Sequence, residues 1–312
     1  MHPALSVIVF TTFSGAGYGL LFLIGVLTGT SILPDSRWFA FFGLGLALGL
    51  ATLGLLASTF HLGRPERAWR AFSQWRTSWL SREGILSLAV FLPAGILGIA
   101  WLLFGQVIPW AGWLSALLAA PTIFCTAMIY ASLKTVPRWH NGWVPLNYLL
   151  LGLMTGALLL QALLHLFAAA APGIAWLAIL SILAGAIGKL GYWRYMDRAP
   201  PVSTAESATG LGALGKVRLL EAPHSEDNYL MKEMGHRIAR KHAGRLRRIA
   251  LACGFAAPLL LSVLALLSTG LPAACAAILA AGLAMLGTLI ERWLFFAEAK
   301  HSVTLYYGAA AV

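Results

Sequence analysis

Eight apolar runs of roughly 20 residues dominate the chain, and a run of that length is what an α-helix needs to cross a hydrocarbon core about 30 Å thick. The runs predict spans over residues 5–28, 38–60, 85–104, 110–132, 144–169, 173–192, 249–268 and 271–297. Inside lipid a backbone must satisfy its own hydrogen bonds, so the implied fold class is all-α: an integral membrane bundle of eight transmembrane helices. Composition agrees, with 59% hydrophobic and 11% charged residues where a soluble domain carries about 25% charged. Residues 1–312 read as a single polytopic domain. The first run is too long for a signal-peptide core and has no basic residues before it, so it is expected to persist as a span.

Several joins between runs are short. Gly105, Pro172 and Thr269-Gly270 each mark a tight connection. Small residues four apart, Gly45 with Gly49 and Gly152 with Gly156, are candidates for close helix approach. The three cysteines, Cys125, Cys253 and Cys275, stand far apart inside apolar runs and form no C-x-x-C pair, so they read as small buried side chains. They provide no zinc or iron–sulfur framework.

The formal net charge of +11 is unevenly placed. With eight spans, both termini and the loops after the second, fourth and sixth spans share one face. That face holds Arg64, Arg67, Arg70, Arg76 and Arg82, then Lys134 and Arg138, then the series from Arg194 to Arg248. The other face has Arg37 beside Asp35. The positive-inside bias assigns the basic loops and both termini to the cytoplasm. Anionic lipid and that bias account for the charge, so no nucleic-acid partner is expected and the lipid bilayer is.

Residues 61–84 form the most informative segment. Pro65 suits the first turn of a helix. At 100° per residue Trp69, Phe72, Trp75 and Trp79 fall on one side, with Arg67 and Arg70 elsewhere, as in an amphipathic segment lying in the interface. An interfacial anchor presents the same face without any further role. His61 and Glu83 bracket this segment at the basic-side boundary. A histidine and a carboxyl group there suit hydrogen bonding and proton exchange with the two oxygens of a quinone head group, with Arg64 nearby to lower the cost of charge. Glu83 equally suits a helix start, where a carboxylate complements the helix dipole.

Glu291 and Arg292 lie inside the last apolar run, where an ion pair to another helix or a ligand contact are the alternatives. Lys189 lies near enough to its helix end to snorkel. Residues 193–248 read as a basic cytoplasmic loop and helix: Pro200-Pro201 marks a linker, and Leu230, Met234 and Ile238 have helical spacing before a cluster of Arg and Lys. That helix offers either a solvated or lipid-bound face or one that docks a partner. Haem is disfavoured because only His165 lies well inside a span and no second histidine matches its depth.

At His61-Leu-Gly-Arg-Pro and Ser78-Trp-Leu-Ser-Arg-Glu83 the sequence resembles the anchor subunits of the dimethyl sulfoxide reductase family. Val136-Pro-Arg-Trp, Val144-Pro-Leu-Asn-Tyr-Leu, Glu221-Ala-Pro-His and Ile238-Ala-Arg-Lys-His-Ala-Gly-Arg-Leu-Arg-Arg extend the resemblance over the whole length. It implies a haem-free multi-pass subunit of the bacterial inner membrane that exchanges electrons with quinone or quinol. It also implies two partners: an iron–sulfur subunit, and a catalytic subunit whose molybdenum is held by molybdopterin. The resemblance ties His61 to quinol binding, implicates Glu83, and makes Glu291 and Arg292 candidates for polar support. The long loop from Arg194 to Arg248 looks more like the subgroup serving sulfite-oxidising molybdoenzymes, which leaves open whether quinol is oxidised or quinone reduced. Two other readings stay open beside this one: a structural anchor without a redox role, and a small-solute transporter.

Overall fold

The computed structural model describes residues 5–60, 64–221 and 240–312. Among the described residues, eight helices are long and apolar enough to cross a membrane: α1 (Leu5–Leu27), α2 (Arg37–Thr59), α3 (Trp79–Phe104), α4 (Pro109–Ala131), α5 (Trp143–Leu166), α6 (Pro172–Arg198), α7 (Ala243–Leu267) and α8 (Gly270–Ala297). The eight-span reading holds. Three boundaries move by six residues: α3 begins at Trp79 rather than 85, α6 runs on to Arg198, and α7 starts at Ala243. In each case the added turns carry polar residues, which an apolar count discards although the backbone stays helical.

The ends follow from local chemistry. Ser36 and Ser78 cap α2 and α3, each accepting from a backbone N–H in the first turn. Pro109 and Pro172 stand in the first turns of α4 and α6, where a missing N–H costs nothing. Gly105 ends α3 in the left-handed region at φ 66°. Helix α3 is interrupted at Val90, because Pro93 cannot donate to the Ala89 carbonyl. Helix α7 widens into a π turn over Ala252–Ala256, just before Pro258.

Helix α1 occupies the centre, packing against α2, α4, α5 and α8. Its crossing with α5 is backbone on backbone: a methyl group at Gly19 would collide with the Gly152 carbonyl, and one at Gly156 with the Gly19 backbone. Gly254 and Gly287 make the corresponding contact between α7 and α8. The Gly152 and Gly156 pair thus serves close approach, whereas Gly45 and Gly49 face open space. Cys125 is buried as expected, but Cys253 is only half-buried and Cys275 is exposed on α8. An exposed cysteine on a span meets lipid, which suits its low polarity equally well.

The basic face is tied together by ions and caps. Arg247 bonds Asp197 at 2.5 and 3.1 Å and Glu298 at 2.9 and 3.0 Å, and Arg138 adds a contact to Glu298 at 3.1 Å. Arg240 donates to the Ala297 and Ala299 carbonyls at the end of α8. Trp139 Nε1 reaches the Phe295 carbonyl at 3.0 Å, and Tyr192 OH the Arg138 carbonyl at 3.0 Å. These contacts join the α4–α5 loop to the ends of α6 and α8 and the start of α7. The described part of the predicted basic helix, from residue 240, runs into α7 as expected. Its expected apolar positions at 230, 234 and 238 lie outside the described residues.

Candidate functional site

Glu83 stands in the second turn of α3 and is buried, with 4% of its surface exposed. It is therefore not the helix-opening carboxylate that the sequence allowed; Ser78 holds the cap, and Glu83 is turned into the bundle. Its hydrogen-bond partner among the described residues is Thr126 on α4, whose hydroxyl lies 3.5 Å from Glu83 Oε1. That hydroxyl is closer to the Thr122 carbonyl, at 3.1 Å. A bond at 3.5 Å is at the edge of what counts as one, and no described lysine or arginine pairs with Glu83. Nearby, Tyr18 of α1 donates to the Ser87 carbonyl at 3.2 Å, fixing α1 against α3 one turn deeper.

The aromatic segment covers this end of α3. Residues Pro65–Gln74 form a 3₁₀ helix rather than an α-helix, which places positions three apart on one edge. Phe72 turns inward and packs on Gly84, while Trp69 and Trp75 are exposed. Trp79, on the first turn of α3, meets Phe124 edge to face at 6.0 Å. Arg70, Arg76 and Arg82 each lie over a tryptophan, at 5.6, 5.3 and 4.3 Å from the ring centroid. Arg82 also donates to the Trp75 and Arg76 carbonyls at 2.9 and 2.6 Å, pinning the turn that leads into α3. The four-ring face expected from the sequence is therefore split, two rings in and two out.

Of the residues singled out from sequence, Glu83 is buried beneath this segment and Arg64 is exposed at the start of the 3₁₀ helix without an ion pair to Glu83. His61 lies outside the described residues. Glu291 and Arg292 belong to a separate cluster on α8. Both are fully buried, and the partner of Glu291 is Lys189 of α6, in direct contact, with Arg292 at 3.5 Å. Glu291 therefore makes an ion pair to another helix. Lys189 does not snorkel as expected: the side chain is 2% exposed and points into the bundle, its ammonium over the Tyr192 and Trp193 rings at 4.3 and 5.1 Å. A carboxylate on the facing helix outweighs the pull of the interface.

Thr126 and Tyr130 do not stand out in the sequence, and Asn147 and Tyr148 appear there only within Val144-Pro-Leu-Asn-Tyr-Leu, with no site role attached. Tyr130 packs on Trp139, Tyr148, Phe295 and Phe296, with centroids between 5.2 and 6.0 Å. A lone polar residue in an apolar run gives one weak signal, and only helix rotation reveals that these share a layer. A quinone head group needs a flat apolar wall and polar groups for its two oxygens. The under-satisfied carboxyl of Glu83 and the rings of Phe72 and Trp79 have that character.

The sequence is 35% identical over 334 aligned positions to a sulfite dehydrogenase subunit of Allochromatium vinosum, and the match covers 100% of both proteins. It is also 35% identical over 149 positions to a subunit of the anaerobic dimethyl sulfoxide reductase of Escherichia coli, covering 46% of this protein and 50% of the relative. The family model for the DMSO reductase anchor subunit (DmsC) matches residues 1–308. The multi-pass helical bundle and a match over nearly the whole length agree, and the protein belongs to the DMSO reductase anchor subunit family.

Proposed function

We propose that this subunit exchanges electrons between membrane quinone and an iron–sulfur partner subunit, which connects it to a molybdopterin-bearing catalytic subunit. The observation that carries the reading is Glu83: a buried carboxyl group at the basic-face end of a span, whose hydrogen-bond partner is a hydroxyl at 3.5 Å. Burying such a group is costly unless something completes its bonding, and intramembrane carboxyl groups mark proton and substrate sites. Quinone supplies two-electron, two-proton redox chemistry when bound. Glu83 then accepts or returns a proton at its carboxyl oxygen, and His61 is assigned a hydrogen bond to the other quinone oxygen. Phe72 and Trp79 exclude water from the ring plane. Arg64, exposed at the start of the 3₁₀ helix, contributes charge at longer range, and Glu291 and Arg292 act away from the head group.

The basic loops and both termini are assigned to the cytoplasmic side of a bacterial inner membrane, from the Lys and Arg bias. The described parts of the interfacial segment, residues 64–84, and of the basic stretch, residues 194–221 and 240–248, border the same face, which is where a docked iron–sulfur subunit would lie nearest to Glu83. Likeness over full length to a sulfite dehydrogenase subunit supports reduction of quinone with electrons from sulfite. The shorter likeness to a dimethyl sulfoxide reductase subunit supports the opposite direction, oxidation of quinol.

The test is made on the assembled complex. His61→Ala and Glu83→Gln are each expected to lower quinone-coupled turnover by about 10-fold or more, an order-of-magnitude figure for loss of a proton-transfer group. Both should assemble normally with the partner subunits. Normal quinone-coupled rates in both assembled variants would remove the site.

A further inference from the structure

Helices α6 and α7 carry lipid-facing stripes that end in the same chemistry. On α6, Leu180, Leu183, Ile187 and Leu190 are exposed and recur every three or four positions, so they line one side of the helix. The next two positions of that stripe, Arg194 and Arg198, are exposed as well. On α7 the exposed positions are Leu260, Ala256, Ala252 and Ile249, followed by Arg248 and Arg245. The π turn over Ala252–Ala256 lies inside this second stripe. Its larger number of residues per turn keeps positions four apart in line from Ala252 to Leu260.

The four arginines stand at one depth. About 20 residues fill the hydrocarbon core. Counted from Pro172 at the opposite end of α6, the core ends before Arg194; counted back from Leu267 along α7, it ends at Arg248. The two helices adjoin at this level, since Arg247 bonds Asp197 at 2.5 and 3.1 Å. Those bonds, with Glu298 held by Arg247 and Arg138, engage the acidic side chains of the junction. Among the described residues Arg194, Arg198, Arg245 and Arg248 make no ion pair. Helix stability accounts for Arg194 and Arg198, because cations suit a helix C-terminus. It does not account for Arg245 and Arg248, which stand in the first two turns of α7 with no acidic residue in the first, where the helix end is already partly positive. A docked protein would meet these cations alone. The stripes below them lie at hydrocarbon depth, so a lipid meets both.

We propose that the junction of α6 and α7 binds an anionic phospholipid of the basic-face leaflet. Arg194, Arg198, Arg245 and Arg248 surround its phosphate, to which guanidinium groups donate paired, charge-assisted hydrogen bonds. The acyl chains lie along the exposed stripes, from Leu190 toward Leu180 on α6 and from Ile249 toward Leu260 on α7. The bound anion offsets the repulsion among four like charges and fastens α6 to α7 where Arg247 and Asp197 already join them.

The experiment uses the assembled complex, purified in detergent, stripped of lipid and titrated with phosphatidylglycerol, phosphatidylcholine or inorganic phosphate. Bound phospholipid is counted by native mass spectrometry. The parent should bind phosphatidylglycerol about 10-fold more tightly than phosphatidylcholine, and inorganic phosphate at the same concentration should not displace it. Arg194→Gln with Arg198→Gln, and Arg245→Gln with Arg248→Gln, should each weaken phosphatidylglycerol binding about 10-fold. Arg67→Gln with Arg70→Gln removes as much charge from the aromatic segment and should leave binding within about 2-fold of the parent. The two junction pairs sit on different helices, so if one fails to assemble the other decides. If neither assembles, a photoreactive phosphatidylglycerol on the parent decides, with labels expected within residues 180–198 and 245–260 and labels elsewhere counting against the site. Parent-like binding in an assembled junction variant overturns the proposal; if that variant also sheds its partner subunits, the patch is a protein-docking surface instead. An equal loss in Arg67→Gln with Arg70→Gln, or displacement by inorganic phosphate, overturns it too, the first as diffuse attraction and the second as an ion site without the chains.

Discussion

Glu83 and Lys189 show how differently a charged group is held inside one bundle. Lys189 has a carboxylate in contact and two aromatic rings around it; Glu83 has a hydroxyl at 3.5 Å. Removing the Lys189 ammonium strands Glu291 beside Arg292 alone. Lys189→Met is therefore expected to destabilise the subunit by roughly 3–5 kcal/mol, the range for breaking a buried pair, read as a lower unfolding temperature in detergent. Thr126→Val removes the hydroxyl near Glu83 and keeps the shape. Its main acceptor is the Thr122 carbonyl, so the expected loss is at most about 1 kcal/mol in the same assay. Glu83 is legible as a candidate in the sequence because a carboxyl group beside an apolar run stands out. That it turns inward is not, because its direction depends on where Ser78 starts the helix. The Lys189–Glu291 contact is equally hidden, since it depends on the rotation of two helices 102 positions apart in sequence.

The spans themselves are readable from apolar runs, because lipid leaves the backbone no alternative to helix. Which glycines matter is not readable. Gly45 with Gly49 and Gly152 with Gly156 have the same spacing, yet only the second pair lies at a crossing, against Gly19 of α1. Gly19→Ala and Gly156→Ala should each push α1 away from α5 and cost about 1–3 kcal/mol, as overpacking does, whereas Gly45→Ala should be neutral within about 0.5 kcal/mol. Equal losses at all three positions, measured by thermal unfolding, would show that the crossing is misplaced. The 3₁₀ form of Pro65–Gln74 is also beyond the sequence, which has an amphipathic pattern compatible with either helix type. Its packing through Phe72 against Gly84 positions the aromatic wall next to Glu83.

Across the whole molecule the polar layer and the ion-pair network lie toward one face, the face that also bears the basic loops. Glu298, shared by Arg138 and Arg247, links the α4–α5 loop and α7 to the end of α8. Glu298→Ala should loosen that face by roughly 1–3 kcal/mol and weaken retention of the partner subunits during purification more than it weakens the bundle. Reporter fusions after Arg76, Arg138 and Pro223 should report cytoplasm, and one near Pro34 the opposite side; a reversed signal from two of the three basic loops would overturn the orientation. The location of the quinone head group is tested most directly by a photoreactive quinone analogue on the assembled complex, with the attachment sites read by mass spectrometry. Attachment is expected within residues 61–87 and around Thr126, and should be lost in Glu83→Gln. Attachment concentrated in the loops of the opposite face, around Pro34 or Gln106, and unaffected by Glu83→Gln, would contradict it.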